Sequence, residues 1–298
     1  MTGNPSHSPA IVVPPEFCDI QESLKMFSLD SFNDAKKAEE YVSLFSLRAI
    51  CRPVDADKAR GNVAAIERTV SPTQKTPCEP EYRDLCRLHW IALSRKVLNV
   101  LEFGSGYSTV VLADAMRRLY EYFGGWAQRS VRSERPFHVY SVEEDQRFLG
   151  ITNARLGNGL RKFATVSCSS VDMVTHDSRI ASVYSKLPNI SPDFIYLDGP
   201  SQFATTQELN GFSFCSKSRM PMSADILRVE YFLEPGTLIL VDGRTANARF
   251  LKTYLRRNWV YRHDVEGDVH FFELQENPLG PFNKVKMEFC LGGKWLLA

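Results

Sequence analysis

The chain has 298 residues, 44% of them hydrophobic and 24% charged, an ordinary globular composition with material for one large domain or a domain with an appendage. Its 36 basic and 35 acidic residues leave a formal charge of +1 and no long single-sign run, so nothing argues for nucleic acid or another polyanionic partner. No run of about 18 uninterrupted apolar residues suggests a membrane span, and no basic region precedes an apolar stretch at the N-terminus, so no secretory signal is expected. The seven cysteines are scattered and never spaced C-x-x-C, which argues against a zinc knuckle or a disulfide framework and predicts a reducing, cytoplasmic setting.

Residues 1–20 are rich in Pro and Ser, which predicts poor order. Ser31 to Pro53 has helical spacing and a proline stop, and Glu79 to Arg95 reads as a second helix with Leu85, Leu88 and Ile91 on one face. Residues 70–80 between them read as loop. Residues 1–95 therefore form a helical N-terminal extension.

From residue 96 the pattern changes. Val97 to Phe103 is almost wholly apolar, as in a strand buried on both faces. Ser108 to Phe123 has helical periodicity, Phe137 to Glu143 reads as a strand, and Glu144 to Leu160 as a helix closing in glycines. Lys162 to Ser169, Pro192 to Gly199 and Gly236 to Gly243 read as three more strands, with a helix over Ser223 to Glu234 and another from Thr245 to Asn258. Trp259 to Gln275 is two alternating runs around Glu266-Gly267-Asp268, a hairpin signal. This alternation predicts an α/β domain over 96–276: a Rossmann-like, doubly wound, mostly parallel seven-stranded sheet closed by an antiparallel hairpin. Residues 277–298 are left as a C-terminal tail.

In such sheets ligands bind beyond the carboxyl ends of the strands, where the strand order reverses. The first strand ends in Glu102-Phe103-Gly104-Ser105-Gly106. Two glycines there allow a tight turn and close approach of backbone to ligand, and a helix starting near Tyr107 offers free N–H groups. A dinucleotide loop has a third glycine where this chain has Thr109. The carboxylate of Glu102 would repel a pyrophosphate and suit an ammonium group. A tight structural turn without a ligand is the plainer alternative.

The run VLEFGSGYST resembles the first motif of the class I S-adenosylmethionine-dependent methyltransferases, an acidic residue followed by G-x-G. DFIYLDG and GTLILVDG resemble the fourth- and fifth-strand motifs of that superfamily's O-methyltransferase branches. The resemblance spans roughly residues 95–275 and implies S-adenosyl-L-methionine as cofactor. Glu102, Gly104, Ser105 and Gly106 would hold its methionine end, with Tyr107 stacking or merely packing. Glu143, at the tip of the second strand, would accept the ribose hydroxyls, with neighbouring Glu144 as the other choice and Asp145 read as a helix cap. Its separation from Gly104 exceeds the roughly 20 residues of a dinucleotide unit. The resemblance also carries Ser169, Ser170 and Asp172 to the adenine side.

Asp198 and Asp242 end the fourth and fifth strands on that same edge, and Arg244 follows closely. They read as catalytic residues, with three roles open to the aspartates: a divalent-cation site, a general base, or partners of Arg244 and the loop backbone. Arg244 suits an anionic group or either aspartate. Gly243 stands where the catechol-type pattern of the resembled family has Asn, so a divalent ion is not favoured. No metal ligand is assigned, since none of the six histidines has ligand spacing; His138, His263 and His270 read as structural. The stretch 199–221 is too long for a tight connection, and Gln202, Phe203 and Phe212 are candidates to line an acceptor pocket.

The expected function is methyl transfer to an oxygen of a small molecule or glycan. The alternatives are an NAD-dependent oxidoreductase on the same sheet and a non-catalytic cofactor-binding interaction protein.

Overall fold

The structure, a computed structural model, describes residues 11, 13–53 and 79–297. Most of the loop expected at 70–80 lies outside the described residues. Among the described residues four helices precede the sheet: α1 (Pro15–Lys25), α2 (Ala35–Phe45), α3 (Leu47–Ile50) and α4 (Tyr82–Ser94). Poor order was expected through residue 20, but α1 begins at Pro15 and drives Phe17 into the core at 0% exposure. The single helix expected over 31–53 is broken. A 3-10 turn (Leu29–Asn33) precedes Asp34, whose carboxylate caps α2, and Ser46 ends α2 in the left-handed region at φ 56°. Helix α4 is buried all round from Leu85 to Leu93, not on one face, because the other lead-in helices cover its outer side.

The sheet strands are β1 (Asn99–Phe103), β2 (His138–Glu143), β3 (Ala164–Cys168), β6 (Phe194–Leu197), β7 (Leu238–Asp242), β8 (Trp259–Asp264) and β9 (Val269–Leu274). Their order is β3-β2-β1-β6-β7-β9-β8, with β9 alone antiparallel to its neighbours. This is the doubly wound seven-stranded sheet expected from the alternation. The central strands β1 and β6 are wholly buried, as their continuous apolar runs require. Helices α5 (Tyr107–Ser130) and α6 (Gln146–Leu160) lie on one side of the connections, and α7 (Asp225–Val229) and α8 (Thr245–Tyr254) on the other. The two faces carry separate apolar cores: the lead-in helices with α5 on one, and α7 and α8 on the other.

Two features were not expected. Val171–His176 and Arg179–Tyr184 form a separate antiparallel pair, β4 and β5, inserted after β3. The segment after the hairpin holds α9 (Pro281–Leu291), whose buried Phe289 stacks on Trp126 at 4.3 Å.

Order reverses between β1 and β6, which leave in opposite directions across the sheet. Asp193 fixes their register: its two carboxylate oxygens accept the backbone N–H groups of Leu98 (2.9 Å) and Asn99 (2.6 Å). Glu102 pairs with Tyr196 and Phe103 with Leu197, so the chain segments after β1 and β6 emerge side by side.

Candidate active site

A cavity of about 680 Å³ opens at that edge, against the carboxyl ends of β1, β2, β6 and β7. Its floor is the Gly104-Ser105-Gly106 turn. Gly104 has φ +95°, a left-handed conformation that suits glycine. Gly106 needs no such freedom: its φ of 171° is extended, and a Cβ there would meet nothing within 4 Å. Of the two glycines, Gly104 alone uses the conformational freedom that the turn allows. What Gly106 leaves open is space beside the cavity.

Thr109 explains the missing third glycine. Its hydroxyl accepts the N–H of Gly106 (3.1 Å) and donates to Glu102 Oε2 (2.7 Å). Ser141 donates to the same oxygen. Glu102 therefore lies behind the loop at 1% exposure and not on the cavity wall, with Oε1 lacking a hydrogen-bond partner. Burial raises its carboxyl to about 7, against the pull of the surrounding hydroxyls. The expected direct grip on an ammonium group is not the geometry seen; Glu102 instead shapes the turn from beneath.

Glu143 does reach the cavity. Its Oε2 accepts from Ser105 Oγ (2.7 Å) and its Oε1 from the backbone N–H of Asp145 (3.1 Å). Burial, then the neighbouring Glu144, pushes it up to about 8. Glu144 also lines the cavity but is held by Tyr184 Oη (2.8 Å) and Ser201 N–H (2.7 Å), which pins the loop after β6. Asp145 caps α6, as expected. Tyr107 lines the cavity with its ring under the Arg155 guanidinium at 3.6 Å.

Ser170 is not brought to the site. It is exposed, hydrogen-bonds Ser185 (2.6 Å) across the base of the β4–β5 pair, and does not line the cavity. Ser169 and Asp172 are likewise engaged with that pair and its neighbours. The unforeseen insertion after β3 consumes these side chains. In their place Phe148, in the first turn of α6, gives the wall an aromatic face.

Asp198, Asp242 and Arg244 converge on the cavity as expected. Asp242 accepts a 2.5 Å hydrogen bond from Tyr196 Oη. Burial and then the charges of Asp84 and Asp198 raise it to about 7. Asp198 is more than half exposed and stands 3.6 Å from Arg244 Nε. The other two guanidinium nitrogens of Arg244 donate to the carbonyls of Pro200 (2.8 Å) and Asp198 (2.5 Å), so its main partner is loop backbone. Of the roles open to it, holding the loop after β6 is the one that uses its donors.

Spacing alone did not reveal Asp84, Glu79 and Glu81, which reach the cavity from the start of α4, nor Tyr196, which reads in sequence as another core residue of β6. Gln202 and Phe203 line the cavity; Phe212 instead borders a separate apolar hollow with Phe214 and Met222. The cavity wall holds seven carboxyl side chains and two guanidinium groups. Asp84, Asp198 and Asp242 do not bring their oxygens within 4.8 Å of one another as a group of three.

No known family matches the chain, and no curated protein matches it. Among solved structures it is similar to the Podospora anserina methyltransferase PaMTH1 bound to SAH (12% identity, 76% of this chain and 98% of that chain, TM-score 0.42). It is also similar to the O-methyltransferase TomG from Streptomyces achromogenes in complex with SAM (13% identity, 75% and 100% covered, TM-score 0.37). A third likeness is to the Bacillus cereus O-methyltransferase in complex with SAH (14% identity, 79% and 98% covered, TM-score 0.35). At such TM-scores the likenesses decide nothing about this chain; its own residues do.

Proposed function

We propose that the protein is an S-adenosylmethionine-dependent methyltransferase acting on an oxygen of a small molecule or glycan. One observation carries the reading: a glycine turn and the tip of β2 meet at a cavity whose wall is strongly acidic. A pyrophosphate would be repelled there, whereas a ligand bearing an ammonium and a sulfonium is attracted. This disfavours NAD on the same sheet.

In this reading the backbone of Gly104 to Gly106 and the N-terminus of α5 take the methionine end. Glu143 takes the ribose hydroxyls, exchanging its bond to Ser105 for bonds to the diol. Phe148 supplies the apolar face for the base. The acceptor enters on the Asp84 and Asp198 side, and Asp242 removes its hydroxyl proton. A carboxyl raised to about 7 titrates close to neutral pH, which suits a general base. Tyr196 holds Asp242 in place, and alignment of the two reactants supplies the rest of the rate.

Calorimetric titration with S-adenosylhomocysteine and with NAD tests the cofactor. Heat is expected from the first only; heat from NAD alone refutes the proposal. Native mass spectrometry of the fresh protein, with a copurified nucleoside expected, identifies the ligand independently.

A further inference from the structure

Away from the cavity, β8 and β9 place His263 directly opposite His270. Their rings stack at 3.9 Å with 15° between the planes. Asp268 sits at the end of the intervening turn, at φ 48°. One donor atom from each of the three lies within 4.8 Å of the others. The sequence hides this, because the histidines are separated by a whole hairpin turn and only the register joins them.

We propose that His263, Asp268 and His270 bind one divalent transition-metal ion, zinc in the first instance, which cross-links the two strands of the hairpin and its turn. Two imidazoles and a carboxylate with one open position are a zinc donor set; magnesium and calcium prefer oxygen alone. His270 is prepared for ligation. It is fully buried, so its ring is held in place by its surroundings. Its two nitrogens face hydroxyls, Tyr261 on Nδ1 (3.0 Å) and Thr245 on Nε2 (3.1 Å). Whichever nitrogen takes the metal, the other keeps a hydroxyl partner that fixes tautomer and ring orientation.

His263 is half-buried and Asp268 exposed, which leaves the ion a path from solvent. Of the nearby charges that act on His270, Asp268 favours a cation and Arg249 opposes one. Ligands on one tetrahedral zinc stand roughly 3.3 Å apart, so closure needs movement on the order of an ångström. Rotation of the exposed Asp268 side chain, with the half-buried His263 ring turning out of its parallel stack on His270, supplies it without moving the sheet. The consequence reaches the cavity through backbone: the Asp268 carbonyl accepts the N–H of Gly243 (2.9 Å), the residue after Asp242.

The test uses the full chain stripped with a chelator and no methyl donor, so its outcome is independent of the proposed function. Calorimetry with zinc is expected to give one saturable equivalent and a raised melting temperature. Cobalt in its place should give visible ligand-field bands without thiolate charge transfer. His263→Ala and Asp268→Asn, both changes at solvent-accessible residues, should each abolish the binding step and the thermal shift. With the metal on His270 Nε2, Tyr261→Phe should keep the site at about ten-fold lower affinity, as for loss of an outer-shell partner; with the metal on Nδ1, Thr245→Val should do so instead. Absence of a saturable step, a step retained in both variants, or a thiolate band placing the metal on cysteine overturns the proposal.

Discussion

Ser105 Oγ donates a 2.7 Å hydrogen bond to Glu143 Oε2, closing the turn after β1 onto the tip of β2. The carboxyl that the proposal assigns to the ribose is thus already aimed by the loop that would hold the rest of the cofactor. Glu143→Ala removes the partner of both ribose hydroxyls and is expected to weaken S-adenosylhomocysteine binding by about 1–3 kcal/mol. Isothermal calorimetry reads this directly. Unchanged affinity would transfer the role to Glu144, although that side chain is already occupied by Tyr184 and Ser201.

Asp242→Asn keeps size and an oxygen that accepts from Tyr196, so the cavity should stay intact. It loses the basic carboxylate. Turnover, once an acceptor is found, should fall by about 10²–10⁴, the usual worth of a general base. Affinity for S-adenosylhomocysteine should barely change. A parallel loss of both would make Asp242 a structural residue.

The sheet was legible in the sequence because a parallel strand buried on both faces must be a short apolar run, and β1, β6 and β7 are such runs. Placement was legible at the strand ends: Gly104, Glu143, Asp198 and Asp242 all line the cavity, as position along the strands predicts. It was not legible where tertiary contact decides. Asp84 comes to the cavity only because α4 packs across the sheet edge, and Tyr196 looks like any aromatic core residue until Asp242 lies beside it. Ser170 stays away from the cavity because β4 and β5 form a local pair at whose base it bonds to Ser185. Glu102 lies one layer deeper than its motif suggests, since Thr109 and Ser141 satisfy it internally.

Stability should fall as pH rises from about 6.5 to 8.5. Glu102, Asp225 and Asp242 are raised to about 7 and Glu143 to about 8, in each case chiefly by burial. A carboxyl raised above its unfolded value binds its proton more tightly in the folded state. Its contribution is full below the unfolded value and is lost as pH passes the folded one. His138 and His270, lowered to about 4 by burial, act oppositely but only below their unfolded range near 6.5. Above that the carboxyls alone set the slope. Ligand-free melts across this window should show a falling melting temperature, with a shallower slope in Glu143→Gln. A flat or rising profile contradicts the assignment of these buried acids.

The lead-in helices are tied to the sheet domain by Asp114 on α5. It is 1% exposed, accepts from His89 Nε2 (3.2 Å), Arg117 (2.8 Å) and Arg118 (2.6 Å), and these partners hold it well below the usual carboxylate range. His89 in turn contacts Tyr41 Oη at 2.9 Å. Asp114→Asn strips the charge from this network and should cost about 3 kcal/mol. That is the low end for breaking a buried pair, because both arginines keep partial access to water. Urea unfolding measures it; a loss under about 0.5 kcal/mol, the scale of a surface substitution, would show that the network does not anchor the extension.

Two glycines of the site separate stability from binding. A Cβ on Gly199 would lie 2.6 Å from Tyr184 Oη, 2.7 Å from Gly104 N and 2.8 Å from Phe103 C. Two of those atoms are backbone and cannot step aside. Gly199→Ala must therefore push β1 and β6 apart at their ends, at about 1–3 kcal/mol. Gly106→Ala meets no protein atom within 4 Å and requires no unusual φ, so the fold should tolerate it. If a cofactor's methionine end rests against that turn, the added methyl occupies the ligand's space. S-adenosylhomocysteine affinity should then drop at least ten-fold while the unfolding midpoint stays unchanged. Retained affinity in Gly106→Ala would show that no ligand approaches the turn closely, which removes the main reason for placing the cofactor there.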